Sequence, residues 1–230
     1  MHPNSRRDGR AGERTHDVSY PPATGLAAQK KSLHATERAT ARVQQARADY
    51  RELIAPLDLA HLKFIDESGV NLAMTRRYGR APQGERVVGA VPQNYGANVT
   101  MIATLSLRGV EAVMTIDGAT DAEVFRAYVQ HVLCPTLVPG DIVVMDNLRA
   151  HKVSGVREHI EACRAQLVYL PPYSPDLSPI EPCWSKLKTL WRAAQARTRE
   201  ALDAAIERVL AAVTPSDARS WFHHCGYALR

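Results

Sequence analysis

Three acids, Asp66, Asp146 and Glu181, fall where strands should end or helices should begin. Asp66 closes a short strand in HLKFIDES, Asp146 closes the almost wholly apolar GDIVVMD, and Glu181 lies in the first turn of a helix opened by Ser178-Pro179. Strand ends and helix starts are where open α/β sheets place their sites. Three carboxylates gathered closely repel one another unless a cation sits among them. Hard divalent ions take oxygen ligands, and Mg2+ keeps positions open for phosphate oxygens and water. Two such ions about 4 Å apart can activate an attacking oxygen and stabilise a leaving one in an in-line displacement. That chemistry is phosphoryl transfer.

Each acid alone also has a plainer reading. Asp66 suits a strand-end turn completed by Ser68-Gly69. Glu67 is its neighbour, but strand alternation points it to the other face, which favours Asp66. Asp146 ends a strand so apolar that an acid there asks for a reason. Ser178 and Glu181 match a capping box, in which the glutamate would be spent on the Ser178 N–H. Residue types alone leave these alternatives open.

The elements that would position the acids read as follows. Leu62, Phe64 and Asp66 share one face of the first strand, with His61, Lys63, Ile65 and Glu67 on the other. VTMIATLSL (99–107) and VEAVMTID (110–117) form a hairpin through Arg108-Gly109. Thr120 and Glu123 predict a capping box opening a helix to about Leu133. GDIVVMD (140–146) has the texture of a strand buried on both faces. A helix over 154–163, the strand QLVYL (166–170) and the turn-rich PPYSPDLSP come next. Pro179 then takes the first position of another helix. On it Ile180, Trp184, Leu187 and Trp191 should be core, while Glu181, Ser185, Lys188 and Arg192 share the polar face. Thr198 and Thr214-Pro215 open two further helices. The order predicts an α/β domain with a mixed sheet. Residues 1–25 read as a flexible leader, 26–56 as a helical linker stopped by Pro56, and 57–230 as the catalytic domain with C-terminal helices.

A net charge of +5 and a pI near 9.1 permit an anionic partner. Arg76, Arg77, Arg80 and Arg86, with Tyr78 among them, form a basic stretch suited to phosphate, or simply a solvated loop. Lys188 and Arg192 could touch DNA from the helix that carries Glu181. His151 and Lys152 follow the second acid; His151 reads either as a partly exposed structural residue or as one that positions water or phosphate. Cys134, Cys163, Cys183 and Cys225 are widely spread, without zinc spacing, and are expected as free thiols. The opening residues lack the apolar core of a secretory signal, and no apolar run reaches the roughly 20 residues that span a bilayer. The expectation is a cytoplasmic protein, near the nucleoid, with no membrane partner.

Spacing and context tie the acids together. Between Asp146 and Glu181 lie 34 residues. FIDESGVN, VVMDNLRAHK and LPPYSPDLSPIEPCWSKLK closely resemble the three catalytic blocks of DDE transposases, in the bacterial insertion-sequence branch of the mariner superfamily. The likeness runs from Lys30 to Tyr227 and includes RRYGRAP and the closing GY. Arg149-Ala150 stand where such enzymes often have Gly-Ser, and Ser178 where they usually have Asn. The resemblance implies a ribonuclease H-like mixed five-stranded sheet flanked by helices. It implies Asp66, Asp146 and Glu181 as catalytic ligands of two Mg2+ or Mn2+ ions. It further implies cleavage of double-stranded DNA at transposon ends, strand transfer into target DNA, and a homodimer in the synaptic complex. No complete helix-turn-helix is legible in residues 1–55, so a separate helix-turn-helix polypeptide is an implied partner. The rival readings are a truncated, non-catalytic DNA-binding remnant and a host nuclease of the same fold.

Overall fold

Nine residues, Leu62–Val70, form β1, the central strand of the sheet. The computed structural model describes residues 34–96 and 98–228, with the side chains of 149 and 150 left aside. The expected leader therefore lies outside the described residues. β2 (Val99–Ser106) and β3 (Gly109–Asp117) make the expected hairpin, turning at Leu107-Arg108. β4 (Ile142–Met145) and β5 (Gln166–Tyr169) complete a sheet of order β3-β2-β1-β4-β5. β1, β2 and β3 pair antiparallel, whereas β1–β4 and β4–β5 are parallel. This is the mixed five-stranded sheet the sequence predicts.

Among the described residues six α-helices cover the sheet: α1 (Ala41–Ile54), α2 (Ala122–Tyr128), α3 (Val156–Ala162), α4 (Ile180–Ala194), α5 (Arg199–Leu210) and α6 (Pro215–His224). Strand alternation divides the core. Leu62, Phe64, Ile142 and Val144 pack with Tyr50 of α1, Trp184 and Trp191 of α4, Ile206 of α5 and Phe222 of α6. Ile65, Val143 and Met145 pack instead with Phe125 and Tyr128 of α2 and Ile160 of α3. β4 is buried on both faces because both neighbours are parallel strands under helices. Trp191 is only 1% exposed; truncating so large a buried ring costs about 3–5 kcal/mol.

Several elements differ from the sequence expectation. β1 runs on to Val70, so Asp66 is mid-strand rather than terminal, because β2 keeps pairing from Phe64↔Leu105 to Val70↔Val99. Within 26–55, the described part is not one helix: a 3-10 turn at Thr36–Ala39 is parted from α1 by extended Thr40, whose hydroxyl donates to Glu37 O. The cap of α2 is Asp121, which accepts from Glu123 N and Val124 N, and not Thr120. A carboxylate is the stronger acceptor for two backbone donors. That helix continues as a π turn, Val129–Leu133. Thr198 and Thr214 cap α5 and α6 as predicted. Among the described residues the four cysteines are free thiols and no helix is long and apolar enough to cross a membrane.

A buried polar network ties the early part of β1 to its neighbours. Lys63, 1% exposed, reaches Glu111 Oε2 at 2.9 Å and Asp141 Oδ2 at 3.7 Å. Glu111 also accepts from Ser106 Oγ and Arg108 Nε, and His61 meets Asp141. Burial alone would raise the Glu111 carboxyl, but Arg108 and Lys63 outweigh it and hold it at about 2, against an ordinary 4.5. A depressed acid stabilises the fold above its unfolded pKa, and that contribution fades as pH falls toward the folded value. Glu111→Gln should therefore lose less urea resistance than wild type between pH 6 and pH 3. Equal losses in paired urea melts would mean that Glu111 is not a main source of acid sensitivity.

Candidate active site

The register of the sheet brings the first two acids together. β1 and β4 pair in parallel from Leu62↔Ile142 to Phe64↔Val144. Two residues further on, Asp66 comes level with Asp146, just where β4 has ended. Both acids therefore stand at the mouth opened by the end of β4. α4 lies on the Leu62–Phe64–Asp66 face, and Trp184 donates its Nε1–H to Asp66 Oδ2 at 3.0 Å. Glu181 precedes Trp184 by three residues, close to one helical turn, and so shares that side of α4's first turns.

The capping box expected of Ser178 and Glu181 does not form. The Ser178 N–H donates instead to Pro175 O at 3.0 Å, in a 3-10 turn over Pro175–Leu177. The Glu181 N–H donates to Ser178 O at 3.1 Å. The donor that would have claimed the Glu181 carboxylate is taken by backbone, so the side chain is left for other work. Pro179 caps α4 instead of taking its first position, while Ile180, Trp184, Leu187 and Trp191 are buried as predicted, Glu181 and Ser185 are exposed, and Lys188 and Arg192 are half-buried.

The charges of the other two acids bear on Asp66. Burial, then the charges of Glu181 and Asp146, push the Asp66 carboxyl up to about 7, against hydrogen bonds from the Glu67 backbone and Trp184. Glu181 is raised too, first by burial and then by Asp146, with Lys188 opposing. Among the described residues no three His, Cys, Asp or Glu side chains are arranged to hold a metal ion. Carboxylate oxygens alone, with no thiolate among them, suit Mg2+ or Mn2+.

His151 is buried, not partly exposed as expected. It is 2% exposed and stacks on Phe125 at 4.1 Å. Its Nδ1 lies 2.5 Å from Asp146 Oδ1, an ion contact rather than an aligned hydrogen bond, and its Nε2 is 3.4 Å from Glu67 Oε1. Burial disfavours the imidazolium, but Asp146 and Glu67 prevail and raise it to about 9. A cation thus stands between the second acid and Glu67 on the sheet's other face. Sequence reasoning missed the parts played by Glu67 and Trp184. Alternation did place Glu67 opposite Asp66, and helical spacing did put Trp184 one turn from Glu181.

The predicted basic residues separate. Arg76, Arg77, Arg80 and Arg86 are exposed in the irregular segment between β1 and β2. Burial first, and then the charge of Arg77, lowers the Arg192 guanidinium. Lys188 acts on Glu181. Lys152 turns elsewhere, over the Tyr169 ring at 5.2 Å.

Comparison with known proteins adds the following. A family model described as DDE superfamily endonuclease matches residues 61–203. No curated protein matches by sequence. Among solved structures, the Mos1 strand transfer complex is similar with a TM-score of 0.67 at 17% identity, over 88% of this chain and 63% of that one. The Mos1 mariner paired-end complex with Mn gives 0.63 at 17% identity, over 86% and 64%. The catalytic domain of Mos1 mariner transposase gives 0.62 at 15% identity, over 85% and 92%. The chain thus spans under two thirds of the longer Mos1 chains and corresponds to nearly all of the catalytic domain. At these identities the likeness is one of fold, and the fold is ribonuclease H-like.

Removing a cation from between two acids should weaken the fold. His151→Ala should lower stability by about 1–3 kcal/mol, through the lost ion contacts and the space left against Phe125. Urea unfolding at pH 7 measures this. An unchanged midpoint would mean the Asp146–His151–Glu67 chain does not hold the site together.

Proposed function

The chain belongs to the DDE superfamily endonucleases, and from that premise we propose that it is a DNA transposase catalytic domain that cleaves transposon ends and joins them to target DNA. One observation carries the reading: residues 66, 146 and 181, distant in sequence, converge, with Asp66 level with Asp146 across β1 and β4 and tied by Trp184 to the first turns of α4, where Glu181 sits. An active site for phosphoryl transfer needs such a cluster, and little in a purely structural role explains it.

In this reading Asp66, Asp146 and Glu181 hold two Mg2+ or Mn2+ ions. When bound, such ions polarise the phosphodiester and offset the charge that builds on its oxygens. The chain's own residues do the positioning. Asp66 offers its carboxylate from within β1, and Asp146 offers its own from the residue that follows β4. Glu181 adds its carboxylate from the start of α4, and Trp184 keeps Asp66 oriented through its Nε1–H. His151 holds Asp146 from behind by charge. Attack and departure of phosphate oxygens then depend on alignment and charge neutralisation, which supply most of what phosphoryl transfer requires.

DNA is the substrate class that fits. The charge of Arg77 bears on Arg192, and that of Lys188 bears on Glu181, so cations gather on the side of α4 that carries the third acid. A polyanionic backbone would relieve that crowding. Arg76, Arg80, Arg86 and Lys152 would contribute more weakly, from the surface. The Mos1 paired-end complex supports a synapse in which two copies of this chain bring two ends together. A helix-turn-helix on a separate polypeptide would supply end recognition, and the reaction would take place on nucleoid DNA in the cytoplasm.

Asp146→Asn should reduce Mn2+-dependent nicking of element-end DNA by about three orders of magnitude while leaving the circular dichroism spectrum intact. Nicking that survives would remove Asp146 from the mechanism, and DNA binding without cleavage in any divalent metal would favour the non-catalytic remnant. Arg77→Ala and Arg192→Ala should each weaken DNA binding across all sequences and reduce the slope of log affinity against log salt by about 1. An unchanged slope in a fluorescence-anisotropy titration would take these residues off the DNA.

A further inference from the structure

Of the three acids, Glu181 is the one that no strand carries or leads directly into. Its place depends on the turn Pro175–Leu177 and the residues after it, up to the first turn of α4. That turn is gripped from α1, an element outside the matched span 61–203. Arg47 of α1 is 2% exposed. Its Nη1 donates to Asp176 Oδ1 at 3.0 Å and to Ser174 Oγ at 2.6 Å, and its Nη2 donates to Asp176 Oδ2 at 2.7 Å. Arg38 adds a bond to Asp176 Oδ2 at 2.9 Å. Burial would raise the Asp176 carboxyl, yet Arg47 and then Arg38 hold it below the usual range.

From the turn, backbone hydrogen bonds lead to the acid. Leu177 N donates to Ser174 O, Ser178 N to Pro175 O, and Glu181 N to Ser178 O. A second tether joins the same turn: Tyr227 Oη donates to Leu177 O at 2.7 Å and meets Tyr50 Oη of α1 at 2.8 Å. Packing alone does not call for this. Apolar side chains could dock α1 on the core without taking a guanidinium out of water, and a buried ion pair is a weak source of net stability. What a two-pronged Arg–carboxylate pair does supply is one defined geometry.

We propose that Arg47 is a positioning residue for the third acid: by clamping Asp176 it sets the start of α4, and so where the Glu181 carboxylate stands relative to Asp66 and Asp146. The inference rests on the reading of Glu181 as a divalent-metal ligand. α1 is then a working part of the active site, although it contributes no group to the chemistry.

Mn2+ binding to the full chain, followed by isothermal titration calorimetry with thermal melts alongside, tests the clamp. Arg47→Met should weaken Mn2+ affinity about tenfold, the lower range for residues that orient metal ligands. Glu181→Gln should weaken it more, and adding Arg47→Met to Glu181→Gln should cause no further loss, because the ligand being positioned is already gone. Asp176→Asn should reproduce the Arg47→Met effect and serves in its place if that variant does not fold. Unchanged affinity in both clamp variants, or an equal loss in the Glu181→Gln background, overturns the proposal. Affinity unaffected by Glu181→Gln itself would sink the metal-ligand reading, a result distinct from failure of the clamp alone.

Discussion

Like charges drawn to one place must be held there against their own repulsion, and the neighbourhood of Asp66, Asp146 and Glu181 is organised around that cost. Two unit charges 4 Å apart interact by about 4 kcal/mol at an effective dielectric of 20. That is a sizeable part of a domain's net stability of about 5–15 kcal/mol. The fold answers with groups of opposite character. Trp184 donates to Asp66, His151 stands against Asp146, and Lys188 offsets Glu181. Burial first, and then the repulsion that remains, raise the carboxyl of Asp66. A divalent cation would discharge it.

Rigidity comes from the sheet, and access comes from where the sheet stops. β1 is the only described strand with an antiparallel neighbour on one edge and a parallel one on the other. On the β2 side, pairing carries it past Asp66 to Val70. On the β4 side, the partner strand ends at Met145 and leaves Asp146 at an open edge. Asp66 thus has a firmly held backbone and a carboxyl that faces a cleft. The two layers of the core then assign duties: helices α1, α4, α5 and α6 lie on the Asp66 face, while α2 and α3 on the other support His151 through Phe125.

The third acid reaches this cleft through a helix rather than a strand, so its position rests on turns and tethers. The segment from Ser174 to Ser178 is buried at both serines and held by Arg47, Tyr227 and its own backbone bonds. A glutamate at a helix start is also attractive for a reason unrelated to chemistry, since helix N-termini favour negative charge by about 0.3–1 kcal/mol. Local preference and site geometry therefore agree at Glu181.

The sequence by itself determined the features that depend on near neighbours. Alternation in Leu62–Glu67 set which face carries Asp66, the apolar run Ile142–Met145 marked a strand buried on both sides, and the spacing of Ile180, Trp184, Leu187 and Trp191 fixed the buried stripe of α4. The three acids stood out only together with their surrounding blocks, through the resemblance those blocks carry, since each acid alone also fitted a turn or a cap. Only the tertiary structure decided where competing partners of similar strength divide. Ser178 could have capped a helix with Glu181, yet its N–H went to Pro175, and Asp121 took the cap that Thr120 also fitted. His151 found Glu67, 84 positions away, and Arg47 found Asp176 across 129. Caps and single hydrogen bonds differ by about 1 kcal/mol or less. Local residue types cannot settle so small a difference, and the packing of distant elements does.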